Sequence, residues 1–247
     1  MAGRIREKRR LRERDSFIRK LLAQPPDLNK PASDRNLSSE ADIALKTARR
    51  QLRAGLIREA EESCISALTR APNLTEAMRL LAMACHRTGA HRQAEDLLRR
   101  AIEISPADPE AHAELGLVLG QQGRFDAAAS SFRASLERQP DNLQTLHNLG
   151  FAYVQTGAFH DAVDIFRRAI ALSPDTSVLH MNCGGALQQA GCLAEAEKSY
   201  RRAIELQPDS VDSHLNLGSL LGQMKRFDES LRAFERAADL SPNHIGA

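Results

Sequence analysis

Apolar residues recur along most of this chain at three- and four-residue steps, the spacing that gathers side chains on one face of a helix. The stretch around residue 150 shows the pattern well. Leu146, Leu149, Gly150 and Tyr153 form one stripe, and Ala162, Phe166, Ala169 and Ile170 form a second. Gly157 lies between the stripes, where a chain needing positive φ turns with least strain. Pro174 follows the second stripe, where it cannot continue a helix. The pattern therefore predicts a helix, a tight turn, a second helix and a proline stop.

The unit recurs without a slip. Pro72, Pro106, Pro140, Pro174, Pro208 and Pro242 stand 34 residues apart. A fixed period of this length marks one supersecondary unit copied and stacked. With the proline third from the end, the units run 41–74, 75–108, 109–142, 143–176, 177–210 and 211–244. Glycine returns at Gly55, Gly89, Gly123, Gly157 and Gly191, with Lys225 in the last unit. Alanine returns at Ala60, Ala94, Ala128, Ala162 and Ala196, then Ser230, and four places later stand Cys64, Leu98, Phe132, Phe166, Tyr200 and Phe234. Gly116, Gly150, Gly184 and Gly218 recur in the first stripe. Small residues there let two helix backbones approach, and the larger side chain fills the gap beside them.

These residues resemble the tetratricopeptide repeat family over 41–247. The best copy is 143–176, with Leu149-Gly150, Tyr153, Ala162, Phe166, Ala169 and Pro174. The resemblance implies an all-α fold, a right-handed superhelix of six helix pairs. The family's early tryptophan slot holds Ala44, Met78, His112, Leu146, His180 and His214 instead. Each unit of such an array touches only its neighbours.

The formal charge of +2 hides an asymmetry. Residues 1–40 hold eleven Lys/Arg against six Asp/Glu, whereas the remainder holds 23 against 26. Residues 1–23 read as a basic arm, 24–40 as a linker with three prolines, and 245–247 as a tail. Two readings of the arm stand side by side. It is a charged helix whose Phe17, Ile18, Leu21 and Leu22 cover the exposed end of the first repeat, or a basic arm for nucleic acid, anionic lipid or an acidic protein. Glu7, Glu13 and Asp15 dilute the charge and argue against a strong polyanion site. Ser39, with Asp42 three places on, resembles a capping box. No apolar run reaches the ~18 residues of a membrane span, and a cytoplasmic location is expected. Cys64, Cys85 and Cys183 fall in core slots and read as inert thiols, with Cys192 beside a turn as the most accessible.

No catalytic signature, glycine-rich phosphate loop or HExxH motif occurs, so neither an enzyme nor a cofactor or metal site is expected. His112, His180 and His214 share one slot in successive repeats, which sets them ~10 Å apart by helix packing. That is too far for one metal, and packing histidines are expected. In the family, places two, five, six, nine, twelve and thirteen of the first helix line the concave wall. Carried onto this chain, place six gives Lys46, Leu80, Glu114, Asn148, Asn182 and Asn216. Place thirteen gives Arg53, Arg87, Gln121, Gln155, Gln189 and Gln223. The resulting amide ladders offer donors and acceptors to the backbone of an extended peptide. The asparagine row resembles the groove of the O-linked N-acetylglucosamine transferase repeats. In the N-terminal half, Lys46, Arg49, Arg53, Arg79 and Arg87 suggest recognition of an acidic segment or a carboxylate. The chaperone-binding carboxylate clamp of the family is not matched by any three consecutive units.

The resulting expectation is a non-enzymatic adaptor or scaffold that binds an extended peptide or partner helix in the concave groove. Two alternatives stay open: a targeting module of a glycosyltransferase- or sulfotransferase-type enzyme, and an oligomerising scaffold. No capping helix follows His244, so the groove beside Leu231 and Phe234 lacks a neighbour, and a homo-oligomer through the last repeat is one expected outcome.

Overall fold

The computed structural model describes residues 2–24 and 39–241, with side chains from residue 10 in the first stretch and from residue 40 in the second. The predicted linker beyond Gln24, the Ser39 side chain of the predicted capping box, Pro242 and the predicted tail lie outside the described residues. Among the described residues every element is a helix. The arm forms α1 (Ala2–Ala23). The first helices of the six repeats are α2 (Ser39–Arg53), α4 (Thr75–Arg87), α6 (Pro109–Gln121), α8 (Leu143–Thr156), α10 (Ser177–Gln189) and α12 (Val211–Gln223). Their partners are α3 (Ile57–Arg70), α5 (His91–Ile104), α7 (Phe125–Leu136), α9 (Phe159–Leu172), α11 (Leu193–Leu206) and α13 (Phe227–Leu240). The helices fall into two compact units that divide after Arg138, α1–α7 and α8–α13.

The turns form as the sequence predicts. Gly55, Gly89, Gly123, Gly157 and Gly191 all take positive φ, and Lys225 takes φ 61° at the equivalent position without the help of a missing Cβ. Asp108, Asn142 and Ser210 cap the first helices of the last four repeats but one: their side chains accept from the backbone N–H of Ala111, Thr145 and Ser213.

Packing within a repeat rests on one contact. A Cβ built on Gly116, Gly150 or Gly184 would lie 2.5, 2.6 or 2.8 Å from the ring of Phe132, Phe166 or Tyr200. The ring thus presses directly on the backbone of its partner helix. Ala128, Ala162 and Ala196 are fully buried in the same repeats, as are Ala60 and Ala94 in the first two, where Cys64 and Leu98 stand in place of the ring. The same side chain then meets the next repeat. In the second unit Phe166 and Val163 of α9 share a core with Cys183, Ala186 and Leu187 of α10, and Tyr200 of α11 with Leu217, Leu220 and Leu221 of α12.

A charged link also repeats between neighbours. Arg124 at the start of α7 binds Glu95 of α5 at 2.8 Å, and Arg226 at the start of α13 binds Glu197 of α11 at 2.6 Å. Burial tends to raise the Glu95 carboxyl, but bonds from Arg99, Arg124 and Gln122 hold it below the usual range. Glu61 of α3 occupies the same slot as Glu95, and the arginine slot in the second repeat holds Ala90.

The arm supplies the missing guanidinium. Arg14 Nη1 donates to Glu61 Oε1 at 2.8 Å, and Arg10 Nη2 to Oε2 at 3.0 Å. Glu61 and Arg14 are 2% and 7% exposed. Gln93 of α5 binds Asp15 at 2.8 Å, and Arg100 binds the carbonyl of Gln24 at 2.6 Å. Ile18 and Leu21 are buried. The arm therefore packs against α3 and α5, the second helices of the first two repeats. This corrects the expectation that it covers the end of the first repeat: at that end Ile43 of α2 remains exposed. The buried carboxylate of Glu61, not the exposed array end, determines where the arm docks.

Two predictions follow from this packing. Gly184→Ala should destabilise by roughly 1–3 kcal/mol, because its Cβ meets the Tyr200 ring, whereas Gly185→Ala, with only the Tyr200 hydroxyl at 3.7 Å, should stabilise by about 0.5–1 kcal/mol. Thermal melts of the two variants check the opposite signs. Arg14→Ala combined with Arg10→Ala should cost about 3–5 kcal/mol by stranding a buried carboxylate, read as faster amide exchange in α3 and a lower urea midpoint. Adding Ala90→Arg should restore part of that loss by rebuilding the link seen at Glu95 and Glu197.

Candidate functional site

In the second unit the first helices α8, α10 and α12 are successive neighbours and carry both predicted amide rows. Asn148, Asn182 and Asn216 are half-buried, one per helix, and Gln155, Gln189 and Gln223 are exposed one turn or two further on. Several amides hold each other in place. Gln144 Nε2 donates to Asn148 Oδ1 at 3.1 Å, and Asn182 Nδ2 lies 2.8 Å from His147 Nε2. Tyr200 Oη donates to Gln188 Oε1, and Gln188 Nε2 donates to Gln223 Oε1, both at 3.0 Å. Neither the amide N–H groups of Asn148 nor the carbonyl of Asn182 takes part in these links. Among the described residues Asn216, Gln155 and Gln189 make no side-chain hydrogen bond.

A feature the sequence reading missed lies between the two rows. Place nine of these helices holds Phe151, Gly185 and Ser219. Phe151 is 51% exposed, a large apolar group among the amides, with Val178 of α10 also exposed on this face. A Cβ added at Gly185 would meet only the Tyr200 hydroxyl, in ordinary contact at 3.7 Å. The face thus offers an aromatic wall, a floor without a side chain, and amide groups on both sides. Its signal in the sequence is that Phe151 belongs to neither core stripe of its repeat.

The cations of the first unit are arranged differently. Arg79 donates two bonds of 3.1 Å to Glu114 and approaches Asp108 at 3.4 Å. Burial pushes the Glu114 carboxyl up, against the pull of Arg79. Arg49 makes a two-pronged pair with Glu76. Arg87 donates to the carbonyl of Leu52 at 3.1 Å, and Lys46 pairs with Asp42 at 2.6 Å. Four of the five expected ligand-binding cations are thus joined to groups of the protein itself. Arg53 is exposed with no ion pair among the described residues, and Gln121 is exposed on α6.

The recurring histidines act as clamps. His112, His180 and His214 donate through Nε2 to the carbonyls of Pro106, Pro174 and Pro208 at 3.0, 2.8 and 3.0 Å. Each ties a first helix to the proline turn before it. Among the described residues no group of three or more His, Cys, Asp or Glu could hold a metal ion. The four cysteines are free, three buried and Cys192 partly exposed. No described helix is long and apolar enough to cross a membrane.

A solenoid built of such pairs defines a class of helical repeat protein. The chain belongs to the tetratricopeptide repeat family: the family's profiles match residues 45–109, 109–175 and 175–243. The fold is accordingly an all-α tetratricopeptide solenoid. No curated protein matches the sequence. Among solved structures, a MamA fragment from Desulfovibrio magneticus RS-1 superposes with a TM-score of 0.66 at 18% identity, covering 70% of this chain and 97% of that one. YrrB, described as a TPR protein with an unusual peptide-binding site, gives 0.66 at 19% identity over 75% and 95% of the two chains. Pseudomonas aeruginosa pilF gives 0.69 at 17% identity over 83% and 93%. At these identities the likeness is one of fold.

Burial pushes the Cys64 and Cys85 thiols up to about 12 and raises that of Cys183. A thiol reagent at pH 8 should therefore label Cys192 first and the other three only on unfolding, which peptide mass mapping of the labelled chain would check.

Proposed function

We propose that the chain is a non-enzymatic protein-interaction adaptor that holds an extended peptide or partner helix on the first-helix face of its second unit. Membership of a family of interaction repeats supports the general role, and the peptide-binding site named for YrrB is a precedent on the same fold. The observation that carries the finer reading is the pairing of amide rows with Phe151 and Gly185. Carboxamides can bond a peptide backbone whatever its side chains. Phe151 offers apolar area to one ligand side chain, and the bare floor at Gly185 lets the ligand backbone come close.

The arrangement favours unit two over unit one for a physical reason. A ligand carboxylate at Arg79 would have to displace Glu114 and Asp108, and would leave those acids without their cation. The amides at Asn148, Asn182 and Asn216 lose no such partner when they bind.

Peptides selected from a random display library on the intact chain test the reading. Asn148→Ala with Asn182→Ala should weaken their binding about tenfold or more, equivalent to about 1.4 kcal/mol. Gly185→Leu should weaken it by filling the floor. Both variants should retain the wild-type melting midpoint or exceed it. Equal affinity for wild type and both variants would remove the amide face as the binding site.

A further inference from the structure

The first and the last described repeats present different outer faces. Inside each unit a second helix is covered by the first helix of the next repeat. The covering helices use three apolar places: Leu81, Ala84 and Cys85 in α4, Leu115, Val118 and Leu119 in α6, and Leu217, Leu220 and Leu221 in α12, all buried. In α2 the same places hold Thr47, Arg50 and Gln51. Thr47 donates to the carbonyl of Ile43 at 2.8 Å, and Gln51 accepts from Ser63 at 2.7 Å. Apart from Ile43, the leading end is a polar surface suited to water.

The trailing end keeps its apolar stripe. Phe227, Leu231, Phe234 and Ala238 stand at steps of four, three and four along α13, the spacing of a two-helix seam. Phe227 is 67% exposed and Leu231 59%, whereas Val163, the counterpart of Leu231 in α9, is 4% exposed under α10. Phe234 is 38% exposed, against 1% for Phe166. Its ring presses on Gly218 as the other rings press on their glycines, so the repeat is fully formed with its outer face exposed among the described residues.

We propose that a second copy of this chain covers the stripe, with the two α13 helices packed against each other about a two-fold axis. A head-to-tail stack would need an apolar leading end, and Thr47, Arg50 and Gln51 deny it one. A two-fold contact requires only one self-complementary patch. The stripe meets that requirement in charge as well. Exposed Asp228, Arg232 and Glu235 flank it, so an antiparallel partner can set Arg232 against acids of the other copy. The proposal is independent of the amide face, which lies on the first helices.

Sedimentation equilibrium of the full chain tests it. Wild type should form dimers at concentrations on the order of 10–100 µM, within the range where helix seams of modest area associate. Leu231→Glu should weaken dimerisation by about tenfold or more with unchanged helix content. Gln51→Glu at the leading end, and the Asn148/Asn182 double variant, should dimerise as wild type does. With Cys192→Ser in the background, Leu231→Cys should cross-link to dimers under mild oxidation. A monomer throughout that range would overturn the proposal. So would growing filaments, a dimer that Leu231→Glu leaves intact, or a stripe occupied by a different protein in place of the second copy.

Discussion

From the third repeat on, the structure depends on the pressure of one ring against one glycine backbone, whereas the first two repeats set Cys64 and Leu98 in the ring slot and Ala48 and Ala82 in the glycine slot. A Cβ at Gly116, Gly150 or Gly184 would overlap the ring of Phe132, Phe166 or Tyr200, so the two helices approach more closely than ordinary side chains permit. That contact fixes how a pair is set, and the pair fixes where the ring's outer edge lies. The outer edge must then be covered by the next repeat, because a half-exposed ring forfeits much of the free energy of burial. Periodicity follows from this. Each copy must present the same opening to a neighbour of the same shape, and a shift of one residue would rotate a first helix by about 100° away from its ring.

Local physics accounts for what the sequence revealed. The glycine turns, the proline stops and the alanine–aromatic core are set by neighbours within one repeat, so 34-residue spacing alone located them. Even the histidines were placed correctly in the packing, although their bonds to the carbonyls of Pro106, Pro174 and Pro208 needed coordinates. The charged residues were harder to read. Arg79, Arg49 and Arg87 looked like ligand-binding cations because their slots face the expected groove. Each also bonds a group about one repeat away, at Glu114, Glu76 and Leu52, which the sequence did not reveal. An exposed slot tells nothing of whether a long side chain turns to solvent or reaches along the helix row to a neighbour.

The arm shows the same limit in another form. Its apolar residues were legible, and Ile18 and Leu21 are buried as their spacing suggested. Its docking position was not, because that position is set by a vacancy elsewhere. Ala90 stands where Arg124 and Arg226 stand in later repeats, and Glu61 would be buried without a cation. The alignment of repeats contains this information, but only when acidic and basic slots are compared as pairs across a repeat boundary. Where the acid is absent, as at Val163, the facing slot holds Cys192 and carries no charge.

The contrast between the units bears on function through the same accounting of partners. In the first unit, Lys46, Arg49 and Arg79 on the first-helix face are paired with acids of the protein itself. A ligand there gains only the difference between its own ion pairs and those it breaks, which for partly exposed pairs is small. In the second unit the face carries no comparable ion pairs, and its hydrogen-bonding groups are neutral amides. Exchanging water for a peptide backbone at such groups contributes only about 0.5–1.5 kcal/mol each. On the proposed peptide face, useful affinity would therefore require several amides acting together with apolar contact at Phe151, a demand that a ligand long enough to span α8, α10 and α12 would meet and a single side chain or terminal carboxylate would not.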